Sequence, residues 1–350
     1  MANSQQQREP TREGVLDAAR KVAEILPATP LIPVEIGEAQ VWVKAECLQP
    51  IGAFKIRGAW HRLSAMDEAE RAKGVVAVSS GNHAQGVAWA ARRLGMAATI
   101  VMPQDAPPIK LGRTKALGAE VVTYDRMTEN REEIAQALAT EKGATYVHAF
   151  GDPWVIEGQG SAGIEVLAQL EAQGAPAPTR ILACCGGGGL SAGLALACPD
   201  AEVVPVEPEG WDDVCRSIET GEIQSIVDNP PPTACDALQT FKTSPINFAV
   251  LKQRCTYGLR VSEEGPLTGE MLTDILPRLS KDVTIHDPPI GELQPQQRLL
   301  ISGTQEGIED AMRMLRGEAA PEWVLSKIRR QAAARNEDVI VVEMAVTADS

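Results

Sequence analysis

The sequence predicts an α/β fold of two lobes, in which parallel twisted sheets are flanked by helices. An apolar run at residues 75–78 lacks the alternation of a half-exposed strand, which is typical of a strand buried in a parallel sheet, and residues 180–183 form a second strand-like run. Each run leads through a turn of small residues into a helical stretch, the strand–helix order of parallel sheets. The chain has 350 residues, 44% hydrophobic and 23% charged, which is enough for a large globular core.

The remaining elements follow in the same alternating order. A polar stretch of residues 1–12 precedes them and is predicted to be loosely held. Helices are predicted over residues 13–25, 67–73, 87–94, 109–117 and 161–172, and strands near Val75, Thr99, Ile181 and Val203.

Lys55 stands in the string QPIGAFKIRG at residues 49–58. Most lysines lie at a solvated surface, and this segment would also suit a turn before an ordinary helix. An aldehyde cofactor instead needs an amine that is desolvated enough to lose its proton and form an imine. Two downstream segments favour the second interpretation, because they supply what an aldehyde that carries a phosphate needs.

The first of these segments is the turn SSGNHAQG at residues 79–86, between a strand and the helix over residues 87–94. Its backbone N–H groups and short polar side chains suit an anion such as a substrate carboxylate. Ser80 would in the simplest interpretation cap the following helix. His83 has no metal-binding spacing, and we do not expect it to be a catalytic base.

The second segment is a run of four glycines after the strand of residues 180–183: Gly186, Gly187, Gly188 and Gly189. Without side chains, consecutive N–H groups can converge on a phosphate near a helix N-terminus. A flexible linker is the alternative, but the flanking residues are apolar rather than serine-rich. The run lacks both the lysine of a P-loop and the third spaced glycine of a dinucleotide fingerprint. It is therefore predicted to be a phosphate cradle.

Taken together, these segments resemble the fold type II pyridoxal-phosphate enzymes, specifically the branch of serine and threonine dehydratases and serine racemases. The fold implied is the one related to the tryptophan synthase β subunit. The resemblance spans about residues 29–264 and rests on TPL at 29–31, KAECLQPIGAFKIRGA at 44–59, SSGNHAQG at 79–86, VMP at 101–103, GAEVV at 118–122, GQGS at 158–161, GGGGL at 186–190 and VEPEG at 206–210. It implies a large cofactor-binding lobe of residues 1–53 plus 147–264 and a small lobe of residues 54–146. Residues 265–350 diverge from the family pattern and are expected to complete the large lobe, if they have a role in it.

The resemblance also implies roles for single residues. Lys55 would hold pyridoxal 5'-phosphate covalently and then act as acid and base, with Phe54 packed against the pyridine ring. Asn82 would hydrogen-bond the ring hydroxyl, and residues 186–189 would bind the phosphate. The substrate carboxylate would be bound by the turn, that is by Ser79, Ser80, Gly81, Asn82 and His83. In racemase-like members the serine at position 80 would be a second base on the opposite face of the ring.

A cation site is implied as well. Glu207, the carbonyl of Trp211 and Asp213 follow a strand-like run at residues 203–206 with offsets of four and six. Hard oxygen ligands of this kind suit magnesium or calcium. The alternative is that these acidic residues are simply solvated, as most are in so acidic a chain.

Beyond Glu264 the family pattern is lost. The family's last strand end carries a serine that faces the pyridine nitrogen, and the nearest counterpart is LLISGTQ at residues 299–305, which makes Ser302 the candidate partner. Residues 265–275 and 298–315 also faintly resemble a KH-type nucleic-acid module. Glu270 and Asp274 are unfavourable for such a clamp, so RNA binding is the weaker interpretation.

The composition argues against several classes of protein. The net charge of −14 disfavours a general nucleic-acid binder, which depends on Lys and Arg contacts to phosphates. No apolar run reaches the roughly 18 residues of a membrane span. Seven cysteines without metal-binding spacing or a secretory signal are expected to be reduced thiols in the cytoplasm.

These observations predict a lyase: a pyridoxal-phosphate-dependent ammonia-lyase that converts L-threonine, L-serine or a related β-hydroxy amino acid to the 2-oxo acid and ammonia. Homodimerisation is implied by the resemblance alone. One alternative is an amino-acid racemase, such as a serine racemase, with Lys55 and Ser80 as its two bases. The other is a catalytically impaired binding protein with an altered C-terminus. The sequence does not specify the β-substituent, and 3-hydroxyaspartate remains a candidate.

Overall fold

The computed structural model describes residues 8–36, 39–79, 81–106, 108–126, 128–227, 229–262, 283–286, 298–303, 318–319 and 340–345. It describes only the backbone for residues 35, 36, 39 and 40 and for the described residues from 283 onward. Contacts divide the chain into two compact units, Met1–Ala28 with Gln49–Ser262 and Thr29–Leu48 with Glu263–Ser350. The two lobes expected from the resemblance remain a prediction.

The first unit contains a parallel sheet in the order β5-β4-β3-β6. Its strands are β3 (Val75–Val78), β4 (Ala98–Pro103), β5 (Glu120–Tyr124) and β6 (Thr145–Val147). The central strands β3 and β4 are buried along their whole length, which explains why their sequences are continuous apolar runs. The helices of this region are α2 (Lys55–Ser64), α3 (Glu68–Lys73), α4 (Asn82–Arg93), α5 (Pro108–Ala116) and α6 (Arg131–Lys142).

A second parallel sheet in the same unit has the order β7-β8-β9. Its strands are β7 (Arg180–Cys184), β8 (Glu202–Pro208) and β9 (Leu259–Val261). The accompanying helices are α1 (Arg12–Ala23), α7 (Pro153–Ala172), α8 (Gly189–Ala197), α9 (Asp213–Thr220) and α10 (Pro245–Arg254). The predicted α/β fold with parallel sheets flanked by helices is confirmed.

Helix α7 touches both α2 and α8 at glycines that bring the backbones together. A Cβ on Gly158 of α7 would lie 2.5 Å from the Cα of Gly58 in α2. A Cβ on Gly193 of α8 would lie 2.6 Å from the backbone nitrogen of Gly160 in α7. Neither crossing has room for a methyl group, so the two helices are held at backbone contact distance from α7.

Two ion pairs made by buried arginines reinforce the contact of α2 with α7. The Arg57 guanidinium binds both carboxylate oxygens of Glu165, with N–O distances of 2.6 and 2.7 Å. Arg62 Nε donates to Asp152 Oδ2 at 3.0 Å. Asp152 also caps α7, because its other oxygen accepts the N–H groups of residues 154 and 155.

The second unit contains, in its described part, antiparallel strands and a short 3-10 helix at Glu46–Leu48. The hairpin of β1 (Leu31–Ile36) and β2 (Ala39–Lys44) pairs Leu31 with Lys44. A separate sheet has the order β10-β11-β13-β12, formed by β10 (Val283–His286), β11 (Arg298–Gly303), β12 (Glu318–Ala319) and β13 (Ile340–Ala345). The KH-like interpretation of residues 265–275 lies outside the described residues.

Two helices begin earlier than the sequence indicates. Helix α4 starts at Asn82 rather than at residue 87, so the predicted turn of residues 79–86 is wrong in its second half. Gly86 belongs to this helix because α4 packs closely on α2, where a Cβ would lie 3.1 Å from the carbonyl oxygen of Lys55. Helix α7 starts at Pro153 rather than at residue 161, since Asp152 and Pro153 form a good helix start before an unusually glycine-rich turn. Among the described helices, none is both long and apolar enough to cross a membrane.

Candidate active site

Lys55 is the first residue of α2 and its side chain is half-buried. Its amine donates a hydrogen bond to the carbonyl oxygen of Ala149 at 2.9 Å and lies 5.4 Å from the centre of the Phe54 ring. Burial lowers the pKa of this amine to about 8, against a smaller opposing influence of the Cys184 and Cys185 thiols. The amine therefore loses its proton far more readily than a solvated lysine does.

The turn after β3 presents the start of α4. The Ser79 N–H donates to the Val101 carbonyl at 3.2 Å, and Ser79 Oγ accepts the N–H of Gly81 at 3.1 Å. Asn82 is half-buried at the first helical position, where backbone N–H groups are not used by the helix. Ser80 lies outside the described residues. The N-terminus of a helix suits an anion, and binding of the substrate carboxylate by this turn stays a prediction.

His83 is buried and has no free proton to transfer. Its Nε2 donates to the carbonyl of Val147 at 3.2 Å, which leaves Nδ1 as the unprotonated nitrogen. Burial, and then the charge of Lys55, lower the pKa of His83 to about 3. The imidazole is neutral at physiological pH, and so low a pKa makes its free nitrogen a very weak base, in line with the expectation that it is not the catalytic base.

The glycine loop, residues 186–189, connects β7 with α8. Gly188 has a φ of +85°, which only glycine adopts without strain, and Gly189 begins the helix. A Cβ on Gly187 would overlap the ring of Phe150, and one on Gly188 would lie 2.9 Å from Leu251 Cδ1. These glycines are therefore required by the packing around the loop, and a flexible linker is not an adequate explanation of the run.

One short segment that sequence reasoning missed joins the three predicted parts of the site. It comprises residues 147–150, starting at the last residue of β6, and it contacts Lys55, His83 and the glycine loop. The Val147 and Ala149 carbonyls accept from His83 and Lys55. The Phe150 ring packs against Gly187, and the Cα, Cβ and carbonyl oxygen of Phe150 lie beside Gly189. Its position at the carboxyl end of a parallel strand was the available signal, because ligands bind at that edge of such sheets.

The predicted cation ligands lie at the end of β8 and the start of α9. Glu207 accepts the N–H groups of residues 214 and 215 at 3.2 and 2.7 Å, and Asp213 Oδ2 accepts the N–H of Thr243 at 2.7 Å. Burial raises the pKa of Glu207 to about 8 and that of Asp213 to about 7. Trp211 is buried beside them, with its indole N–H donated to the Pro231 carbonyl.

These residues are chemically suited to a divalent cation. Asp213 Oδ1 is buried and has no hydrogen-bond partner among the described residues. Two buried carboxylates that repel each other gain from a cation between them. Within the same part of the chain, no group of three or more His, Cys, Asp or Glu side chains forms a metal centre, so the third ligand would have to be the predicted carbonyl.

Ser302 belongs to the second unit. Its backbone lies in β11, in register with Thr284 of β10 and Val341 of β13. Its side chain is outside the described part of the chain, and the assignment to the pyridine nitrogen remains a prediction.

Comparison with known proteins gives consistent matches. The model of the family described as "Pyridoxal-phosphate dependent enzyme" matches residues 23–267. The L-threo-3-hydroxyaspartate ammonia-lyase of Pseudomonas sp is 43% identical over 258 residues, which cover 71% of this chain and 78% of the relative. The serine racemase of Schizosaccharomyces pombe is 37% identical over 263 residues, covering 73% and 79%. The crystal structure of the T.th. threonine deaminase has a TM-score of 0.68 and 42% identity, covering 77% of this chain and 86% of that one.

The residues of the first unit fit the cofactor named in the family match. A loop whose packing leaves no space for Cβ atoms precedes the N-terminus of α8, where a phosphate gains from backbone N–H groups and the helix dipole. An amine with a pKa of about 8 is suited to react with an aldehyde near neutral pH. The segment of residues 147–150 links these two features.

Proposed function

Because the chain belongs to the family of pyridoxal-phosphate-dependent enzymes, we propose that this lyase releases ammonia from a β-hydroxy amino acid and leaves the 2-oxo acid. L-threonine, L-serine and 3-hydroxyaspartate are the candidate substrates. The Pseudomonas relative is named for the last of these, and its identity of 43% supports including it.

The observation that carries the proposal is the state of the Lys55 amine. It is half-buried, donates to an uncharged carbonyl and has a pKa of about 8. A general base works best when its pKa lies near the working pH, and a buried lysine reaches that range. Lys55 is thus suited both to hold the cofactor and to take a proton from the substrate.

The protein's own part in the reaction is to bind, orient and move a proton. When bound, pyridoxal phosphate supplies the electron sink for the bond broken at the substrate Cα. Lys55 would remove the Cα proton and, as the acid, give a proton to the β-hydroxyl, which leaves as water. The released enamine would take up a proton at its β-carbon, and water would hydrolyse the resulting imine to the 2-oxo acid and ammonia. The turn of residues 79–83 would hold the carboxylate, and Phe54 and Asn82 would contact the ring and its hydroxyl.

Racemisation is the second candidate, because a serine racemase is among the relatives at 37% identity. It would use Ser80 as the base on the opposite face of the ring from Lys55. A hydroxyl on a helix start is a common cap, so the type of residue alone does not decide between these roles.

Product analysis separates the two candidates. The purified protein is incubated with pyridoxal phosphate and L-serine, L-threonine or L-threo-3-hydroxyaspartate, and oxo acid, ammonia and the D-amino acid are measured. We expect equimolar oxo acid and ammonia with at least one substrate. Formation of D-serine without ammonia would instead establish the racemase.

Cofactor attachment is tested separately by absorbance and by borohydride reduction. We expect a near-visible band in the wild type and a cofactor-labelled peptide that contains residue 55. Lys55→Ala should lack both, whereas Lys115→Ala, at an exposed position of α5, should keep both. Identical colourless spectra of wild type and Lys55→Ala with added cofactor would refute the proposal.

We further propose a magnesium or calcium ion at Glu207, the Trp211 carbonyl and Asp213, and a homodimeric assembly. The buried Asp213 Oδ1, which has no hydrogen-bond partner among the described residues, supports the cation. Light scattering of the holoenzyme tests the assembly, since a monomeric mass at working concentration would exclude it.

A further inference from the structure

The carbonyl of Gly187, in the middle of the glycine loop, receives two side-chain donors from outside the loop. Thr243 Oγ1 donates to it at 3.0 Å and Asn247 Nδ2 at 2.5 Å. Both side chains are buried, with 2% and 0% of their surfaces exposed. A carbonyl oxygen accepts two hydrogen bonds, so these two residues fill its capacity.

The direction of this carbonyl determines the direction of the next N–H group. A trans peptide is planar, and its C=O and N–H bonds point to opposite sides. With the Gly187 oxygen held towards Thr243 and Asn247, the Gly188 N–H points away from them. The peptide bond between Gly187 and Gly188 can rotate easily because both neighbours are glycines. Such a rotation would point the carbonyl oxygen to the side where the N–H group now lies. A cradle for an anion therefore needs an anchor at this carbonyl.

The two anchors are themselves fixed by the surrounding elements. The backbone N–H of Thr243 donates to Asp213 Oδ2 at 2.7 Å, which ties it to the start of α9. Asn247 lies in the first turn of α10, where its N–H donates to Ser244 Oγ at 3.4 Å. A carbonyl accepts and never donates, so the amide of Asn247 must present its nitrogen to Gly187.

We propose that Thr243 and Asn247 are positioning residues of the phosphate cradle, which orient the Gly188 N–H towards the cofactor phosphate by holding the Gly187 carbonyl. This inference rests on the proposed cofactor site, and it adds two residues that lie more than fifty positions beyond the glycine loop. Neither residue touches the phosphate in this arrangement.

The test compares pyridoxal phosphate with pyridoxal, which has the same aldehyde and ring but no phosphate. Dissociation constants of both are measured by absorbance titration of the cofactor-free protein, for wild type, Thr243→Val and Thr243→Ser. Valine keeps the shape and the backbone N–H but lacks the hydroxyl, whereas serine retains the hydroxyl. When the Gly188 N–H turns away, its hydrogen bond to the charged phosphate is lost, which corresponds to roughly tenfold or more in affinity.

We expect Thr243→Val to weaken the binding of pyridoxal phosphate about tenfold and to leave the affinity for pyridoxal within about twofold of the wild type. Thr243→Ser should have the affinities of the wild type. Asn247→Asp, which replaces the donor by an oxygen of the same size, should have the same selective effect and serves as the second variant if Thr243→Val does not fold. An unchanged ratio of the two affinities, or an equal loss of both, would overturn the inference.

The outcome is independent of turnover. A wild type that binds pyridoxal phosphate more tightly than pyridoxal but releases no oxo acid would refute the proposed reaction and leave this inference intact. A wild type that binds both equally would refute the cradle and the inference together.

Discussion

The chemistry assigned to Lys55 follows from the partner of its amine. A buried lysine beside a carboxylate keeps its proton, whereas the Lys55 amine donates to the uncharged Ala149 carbonyl. Burial therefore lowers its pKa to about 8, and an amine at neutral pH becomes available as nucleophile and base. The neighbouring imidazole of His83, neutral with a pKa of about 3, does not compete for the proton.

The pH dependence of aldehyde capture tests this property. The neutral amine is the reactive form and its fraction rises with pH through the pKa, so the capture rate of pyridoxal should increase from about pH 6.5 and level off above about 9. For an ordinary lysine, with a pKa of about 10.4, the capture rate would still be rising at about pH 10. Stopped-flow absorbance with Lys55→Ala as the blank measures the rate. A rise that continues to about pH 10 would contradict the assigned pKa.

At the scale of elements, α7 determines where the two halves of the site lie. Lys55 begins α2 and the glycine loop leads into α8, and both helices meet α7 at glycines. The ion pair of Arg57 with Glu165 also joins α2 to α7, and Arg57 lies two residues beyond Lys55. The fit of these three helices therefore controls the distance from the amine to the phosphate cradle.

Substitution of the crossing glycine should destabilise the protein. A Cβ at Gly158 would lie 2.5 Å from the Gly58 Cα, and overpacking of this kind costs about 1–3 kcal/mol. Gly112 in α5 is exposed with nothing near its Cβ position, so Gly112→Ala should instead stabilise by up to about 1 kcal/mol. Urea denaturation of both variants measures the difference. Equal effects of the two alanines would show that the crossing is not tight.

The buried ion pair of α2 and α7 gives a second prediction at this scale. The Arg57 side chain is fully buried, so Glu165→Gln removes the charge that opposes it and should cost about 3 kcal/mol of unfolding free energy. The surface pair of Asp17 and Lys21 is the matched control, and Asp17→Asn should cost less than about 1 kcal/mol. Chemical denaturation at low and high salt measures both, and a cost for Glu165→Gln as small as the control would be evidence against the role of this pair.

The sequence predicted those parts of the site that consist of adjacent residues. Lys55 and the four glycines each belong to a local string whose physical purpose is visible without a structure. The contribution of Ala149 is a backbone carbonyl, which any residue would provide, and Arg57 and Glu165 are 108 positions apart. The start of α4 was missed because Asn82 and Gly86 are poor helix formers, and packing on α2 overrides that preference.

For the whole molecule, the net charge of −14 makes the response to cations informative. A specific ion between Glu207 and Asp213 should raise the free energy of unfolding by about 2.7 kcal/mol at a concentration roughly 100 times its Kd. Sodium chloride at the same ionic strength only screens the general self-repulsion. We expect magnesium or calcium to raise Tm beyond the sodium control in the wild type but not in Asp213→Asn. Equal shifts for sodium and the divalent ions would rule out the site.

The glycine crossings of α7 have a consequence for how damaged variants of this protein would be recognised. Displacing α2 or α8 by the thickness of one methyl group costs about 1–3 kcal/mol, which lowers the stability of the protein without unfolding it. The same displacement moves the reacting amine relative to the phosphate by about 1 Å, and misplacement on that scale costs roughly 100-fold in rate. Screens that score abundance or melting temperature would thus rank as mildly impaired some variants that have already lost most of their activity.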